Sequence, residues 1–148
     1  MTRAVHTVGR WLRFVVAETL VGGLLAVGYL LWGTRGFTRW RRQLDETRKA
    51  VLPNSPTDPR ARPLYVGVGL VGAVEGCAYA LARPLLPKRA AVAGPIFSCV
   101  FAFAVVYGGR SIEKRSGRPV SALETKATDL RSHVLFGSVL AVVERLSR

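Results

Sequence analysis

Residues 64–86, LYVGVGLVGAVEGCAYALARPLL, run for 23 positions with only Glu75 and Arg83 charged. A helix rises about 1.5 Å per residue and needs roughly 20 mainly apolar residues to cross a bilayer. The stretch reads as a spanning helix with Glu75 near its centre, where charge is most costly. On a wheel of about 100° per residue, Gly69, Gly72, Gly76 and Ala80 share one face, with Glu75, Tyr79 and Arg83 on or beside it. Helices in lipid associate by close backbone contact and hydrogen bonding. That face is therefore expected to meet another helix and to turn Glu75 into protein rather than lipid. Two roles stay open for the carboxylate: a buried polar group in a packing stripe, or an ion or proton site.

The remaining chain repeats this pattern. Hydrophobic residues make up 49% of 148, with mean hydropathy +0.24, and they gather in long runs separated by basic loops. The expected fold is all-α: a polytopic membrane protein, a four-helix glycine-rich transmembrane bundle in one domain over 1–148. Its spans fall at about 11–32, 64–86, 90–109 and 130–146, and its basic loops at 33–63 and 110–129. Trp11 and Trp32 bracket the first span as interfacial residues. Glu18, about two turns inside, is expected to partner an arginine or hydroxyl near the rim. Gly22, Gly23, Ala26 and Gly28 allow close approach. A faint echo between 20–32 and 70–82, at an offset of 50, is consistent with two related hairpin halves.

The short turn with Pro84, Pro87, Lys88 and Arg89 predicts a hairpin of the second and third spans. Gly94 and Ser98 supply small contact residues in the third, where Pro95 should kink or delay the helix. Phe97, Phe101 and Phe103 read as lipid or packing contacts. Ser121-Ala-Leu-Glu124 has the form of a capping box, so a helix is expected to start there, run through Leu123, Ala127, Leu130 and Val134, and carry Gly137 and Glu144. Cys77 and Cys99 read as small packing residues.

In the first loop, Phe37, Trp40, Leu44 and Val51 recur at helical spacing, and Arg41/Asp45, Arg42/Glu46 and Asp45/Lys49 form four-residue charge pairs. They predict a short interfacial helix ended by Pro53, presenting Arg39, Arg41, Arg42 and Lys49 to lipid headgroups. The chain has 22 Lys+Arg against 9 Asp+Glu. Because the basic residues lie mostly between apolar runs, they read as topology signals and contacts to anionic lipid, not to nucleic acid. Two long loops carry 14 Lys+Arg and the opposite side 8, which puts the loops in the cytoplasm or mitochondrial matrix and both termini across the membrane. His6 and His133 then lie at opposite faces, against a haem between them. No nucleophile, metal cluster or phosphate loop is visible, so an enzyme is not expected.

From about Gly67 to the C-terminus the chain resembles the mitochondrial inner-membrane translocase family. The segment from Gly72 to Arg83 is similar to that family's small-residue stretch bearing an acid and then an arginine, matched by Glu75 and Arg83. Ala93-Gly94 follows at a similar distance, and Gly137 precedes Glu144 by seven residues as in the family's last helix. The sequence departs from that pattern at Ser98, where the family repeats glycine; at Leu86, nearest the family's hairpin aspartate; at Val71, in place of an aromatic; and at Arg83, displaced by one residue. The family's small members have four glycine-rich helices, both termini in the intermembrane space and basic matrix loops, and they include an accessory subunit of respiratory complex I. The resemblance implies a non-catalytic accessory subunit of an inner-membrane respiratory complex, complex I first. Its partners would be other membrane subunits and anionic lipid, with no cofactor beyond a bound phospholipid such as cardiolipin and no small-molecule substrate. The alternatives are a subunit of a protein translocase, and a stand-alone small transporter or proton-handling protein, bacterial inner membrane included.

Overall fold

The computed structural model describes residues 2–42, 46–116 and 130–147, and among them there is no strand. The helices are α1 (Thr2–Leu31), α2 (Gly33–Arg42), α3 (Glu46–Val51), α4 (Arg62–Ala82), α5 (Ala90–Ser116) and α6 (Leu130–Ser147), with 3₁₀ turns at Pro59–Ala61 and Arg83–Leu85. Two stretches, Val8–Leu31 and Pro59–Leu85, are long and apolar enough to cross a membrane, and Ala90–Val105 is a shorter apolar segment.

Local chemistry sets the ends of these helices. Asp58 accepts a hydrogen bond from the Arg60 amide at 2.9 Å, and Pro63 occupies the first turn of α4, where its missing N–H has no helical partner to lose. At the far end, Pro84 lacks the N–H that would continue the ladder; Arg83 keeps right-handed α geometry, the chain tightens into the 3₁₀ turn, and Leu86 turns extended. Pro95 lies inside α5, and the helix starts at Ala90, so the expected delay does not occur. Pro95 is the sixth residue of the helix, past the first-turn amides that lack intrahelical acceptors, so its missing N–H leaves the Ala91 carbonyl without its i→i−4 donor. Here the amides of Val92 and Ala93 both donate to the Arg89 carbonyl at 3.0 Å.

The long helices pack as two pairs, α1 with α4 and α5 with α6. In the first pair Gly23 meets Gly69, Gly22 meets Gly72, and the Glu18 backbone meets Gly76, which is an antiparallel register. A Cβ at Gly72 would stand 2.5 Å from the Ala26 methyl and overlap the Gly22 carbonyl. In the second pair Gly94 lies on Gly137, where a Cβ would stand 2.6 Å from the Pro95 nitrogen. The pairs meet around Tyr79, Ala93 and Leu140, flanked by Phe14, Phe97 and Phe136. Edge-on ring contacts run from Phe14 to Tyr79 (6.5 Å) and Tyr79 to Phe97 (5.5 Å), and Phe97 stacks on Phe101 (6.0 Å). Phe103 is about half exposed.

Two expectations are corrected here. The short turn after α4 does not make α4 and α5 a packed hairpin, since they barely touch. Each instead lays its glycines against another helix. The segments echoing at an offset of 50 are the two partners of one pair, not equivalents in separate halves.

The connector also differs from a single interfacial helix. It forms α2 and α3, and Leu44 and Asp45 lie outside the described residues, as do Ser121, Leu123, Glu124 and Ala127. Phe37 is buried against Leu30, Leu52, Leu64, Tyr65 and Val68, while Val51 is 83% exposed, so the apolar positions do not share one face. Arg41 donates to the Asn54 side chain and, at 2.9 Å, to the Lys49 carbonyl; Tyr65 donates to the Pro56 carbonyl; Lys49 pairs with Glu46. Of the four expected headgroup residues, Arg41 and Lys49 are thus engaged within the connector, and Arg39 and Arg42 are exposed.

The long helices are apolar on their outer faces, and acids lie among the buried residues. Leu20, Leu24, Leu70 and Val100 are 61–73% exposed, whereas Glu18, Glu75, Ser98 and Glu144 are 0–5% exposed.

The glycine contacts yield a prediction with two signs. Gly72→Val should destabilise the fold by at least about 1–3 kcal/mol through overpacking. Gly28→Ala, where an added Cβ meets nothing within 4 Å, should be neutral or stabilise by roughly 0.5–1 kcal/mol. Thermal unfolding of both variants in one mild detergent checks the pair.

Candidate functional site

Glu75, Tyr79 and Arg83 recur every four residues and so line one face of the α4 end. Glu144 on α6 faces them. Arg83 Nε donates to Glu144 Oε2 at 2.7 Å, and the Tyr79 hydroxyl donates to the same oxygen at 2.5 Å. The guanidinium also donates through Nη1 to the Pro87 carbonyl (3.0 Å) and through Nη2 to the Lys88 carbonyl (2.8 Å). One side chain therefore ties α4, the following turn and α6 together. Glu144 is 1% and Tyr79 0% exposed, so these charge-assisted bonds form away from water, where they are strongest.

Glu18 lies within electrostatic range of Glu144 and Tyr79, yet both of its carboxylate oxygens are buried without a hydrogen-bond partner. The expected pairing with an arginine or rim hydroxyl is not made, because the nearby guanidinium is engaged by Glu144 and two carbonyls. Glu75 is 5% exposed and turned into the protein, as the small-residue face requires. Ser98 on α5 stands beside it, but neither Ser98 Oγ nor Glu75 Oε1 completes a hydrogen bond. Three buried carboxyl groups thus face one buried basic side chain among the described residues. The two without a cationic partner need a proton or a cation for neutrality in apolar surroundings.

A groove of about 500 Å³ opens between α1, α4 and α6. Leu25, Val68, Val71, Phe136 and Val139 form walls, Glu75 joins the lining from the middle of α4, and Tyr29, Trp32, Ser132 and His133 lie toward the helix ends. Ser132 donates to the Tyr29 hydroxyl at 2.6 Å, joining α1 to α6 there. At the opposite end of the molecule, Arg10, Trp11, Phe14 and Ala80 gather with Arg83, Lys88 and Ser147.

The sequence-predicted residues are accounted for as follows. Gly69, Gly72 and Gly76 meet α1, Gly94 meets Gly137, and Ala80 and Ser98 are fully buried. Gly22, Gly23 and Ala26 make close contacts, whereas Gly28 borders the groove. Glu18, Glu75, Arg83 and Glu144 are all interior. Cys77 and Cys99 are free and half-buried. Among the described residues no three His, Cys, Asp or Glu side chains converge as metal ligands. Tyr79 is the functional residue that sequence reasoning undervalued, although its place midway between Glu75 and Arg83 marks it.

Compared with known protein families, characterised proteins and solved structures, the chain matches none.

Removing one member of the tie leaves the other buried and uncompensated, which typically costs about 3–5 kcal/mol. Arg83→Ala and Glu144→Ala are each expected to destabilise on that scale, and the double variant by clearly less than their sum. Glu18→Gln, which deletes no hydrogen bond, should change stability by less than about 1 kcal/mol. Chemical unfolding in detergent micelles, arranged as a double-mutant cycle, measures all three.

Proposed function

We propose that this chain is a polytopic membrane protein, a four-helix glycine-packed bundle, that serves as a non-catalytic structural subunit of a larger inner-membrane assembly. The observation that carries this reading is the apolar outer face of the long helices, with Glu18, Glu75, Ser98, Arg83 and Glu144 held inside. Such an exterior suits lipid and neighbouring helices, not water. The Arg83–Glu144–Tyr79 tie supports a rigid scaffold, since it fixes two helices and a turn without leaving an exposed reactive group. The excess of Lys+Arg in the two long loops supports their placement in the cytoplasm or matrix, with both termini opposite. The resemblance of Gly72 to Arg83 and of Gly137 to Glu144 to the translocase family makes a mitochondrial respiratory complex, complex I first, the leading assembly. A bacterial inner membrane is the alternative setting. A translocase role is disfavoured by Leu86 standing where the family carries an aspartate in the hairpin turn.

A second reading, proton or cation handling, draws on Glu18, whose two oxygens lack partners inside the bundle. Scaffold groups are ordinarily satisfied, and unpartnered carboxyl groups in a membrane interior ordinarily belong to ion or proton paths.

Native extraction in mild detergent with the tagged chain as bait, followed by mass spectrometry, is expected to recover stoichiometric membrane subunits of a larger complex. A homo-oligomer without partners overturns the scaffold reading. In proteoliposomes, Glu18→Gln and Glu75→Gln are expected to leave proton and cation flux unchanged. Flux present in the parent and lost in either variant establishes the second reading instead.

A further inference from the structure

We propose that the groove between α1, α4 and α6 is a binding site for a lipophilic cation, with the Glu75 carboxylate as counter-charge. The volume of about 500 Å³ is in the range of small-molecule sites, and its walls are almost wholly aliphatic and aromatic. Apolar walls alone would accept any hydrophobic body. Glu75 narrows the choice. It lines the groove, stands beside Ser98 of α5, is more than nine-tenths buried, and has Oε1 without a hydrogen-bond partner. Among the described residues no cation answers it, because the buried Arg83 is engaged by Glu144, Pro87 and Lys88.

A positively charged occupant supplies the missing partner and gains further from the aromatic lining, since Tyr29, Trp32 and Phe136 border the same space. A neutral acyl chain would fill the walls but offer the carboxyl group no counter-charge, so that it would have to take up a proton. An anionic amphiphile would meet Glu75 as a like charge, with His133 and Tyr29 the other titratable lining groups. Entry is lateral. Leu24 and Leu135 lie on the groove and are 73% and 50% exposed, so an apolar solute partitioned into the surrounding phase reaches the site without crossing a polar barrier. The site departs from the expectation of no small-molecule ligand. It is independent of the scaffold role, because a subunit and a free-standing protein would both present it.

The test uses the full chain in mild detergent with radiolabelled tetraphenylphosphonium in equilibrium dialysis, and the isosteric anion tetraphenylborate measured separately. Saturable binding of about one tetraphenylphosphonium per chain is expected, weakened at least tenfold by Glu75→Gln, with no saturable tetraphenylborate binding. Leu135→Trp, a substitution at a half-exposed rim position that fills the groove, should also weaken binding at least tenfold, and it decides the matter if Glu75→Gln does not fold. Absence of saturable binding in the parent, or undiminished binding in Leu135→Trp or a folded Glu75→Gln, overturns the proposal. Equal binding of tetraphenylborate overturns it too, making the groove a seat for apolar bulk such as a lipid tail.

Discussion

Backbone-to-backbone contact at glycine is the constraint on which the rest of this structure depends. Gly22 on Gly72, Glu18 on Gly76 and Gly94 on Gly137 bring helix axes closer than any side chain would allow. In lipid, apolar side chains gain little by leaving their surroundings for one another, so close packing and polar contact must hold helices together. The glycines supply the first and enclose the second. Because α1 lies so tightly on α4 at Gly76, the Glu18 side chain is drawn into range of Tyr79 and Glu144, not left on the apolar outer face. Substitution in this seam consequently disturbs electrostatics as well as packing.

Arg83 is placed by the chain's own punctuation. Pro84 ends α4 immediately after it, the 3₁₀ turn follows, and the freed carbonyls of Pro87 and Lys88 point back at the guanidinium. An arginine suits this position better than a lysine would, because its planar fork answers a carboxylate and two carbonyls at once. The same turn explains why α4 and α5, though adjacent in sequence, pack against other helices. It is tied into a compact knot by Arg83, leaving each helix free to present its glycines elsewhere.

How much of this was legible depends on whether the signal was local. The small-residue face of α4 and the inward turn of Glu75 follow from helical spacing, and both are found. Buried Arg83 and Glu144 were legible as costly charges in apolar runs, but their pairing spans 61 residues, and no spacing rule reaches that far. The hairpin of the second and third spans misled for a related reason: a short turn restricts where the next helix begins, not which surface it packs against. Phe37 and Val51 show the same limit. They share a helical period, yet one is buried and the other exposed, because they lie on two separate helices and Phe37 alone docks on Leu30.

The interior divides into a compensated and an uncompensated part, and that asymmetry bears on function. Around Glu144, charge, hydrogen bonds and helix ends close on themselves, as a scaffold requires. Around Glu18 and Glu75 they do not, since neither carboxyl group finds a cation among the described residues. Had these groups served packing alone, glutamine or leucine at either position would serve without the cost of burying an acid. Among the described residues one buried arginine faces three buried glutamates, so protons or cations from the surroundings must neutralise the other two. Glu75 differs from Glu18 in bordering an open groove, which makes it the more accessible of the two to anything arriving from the apolar phase.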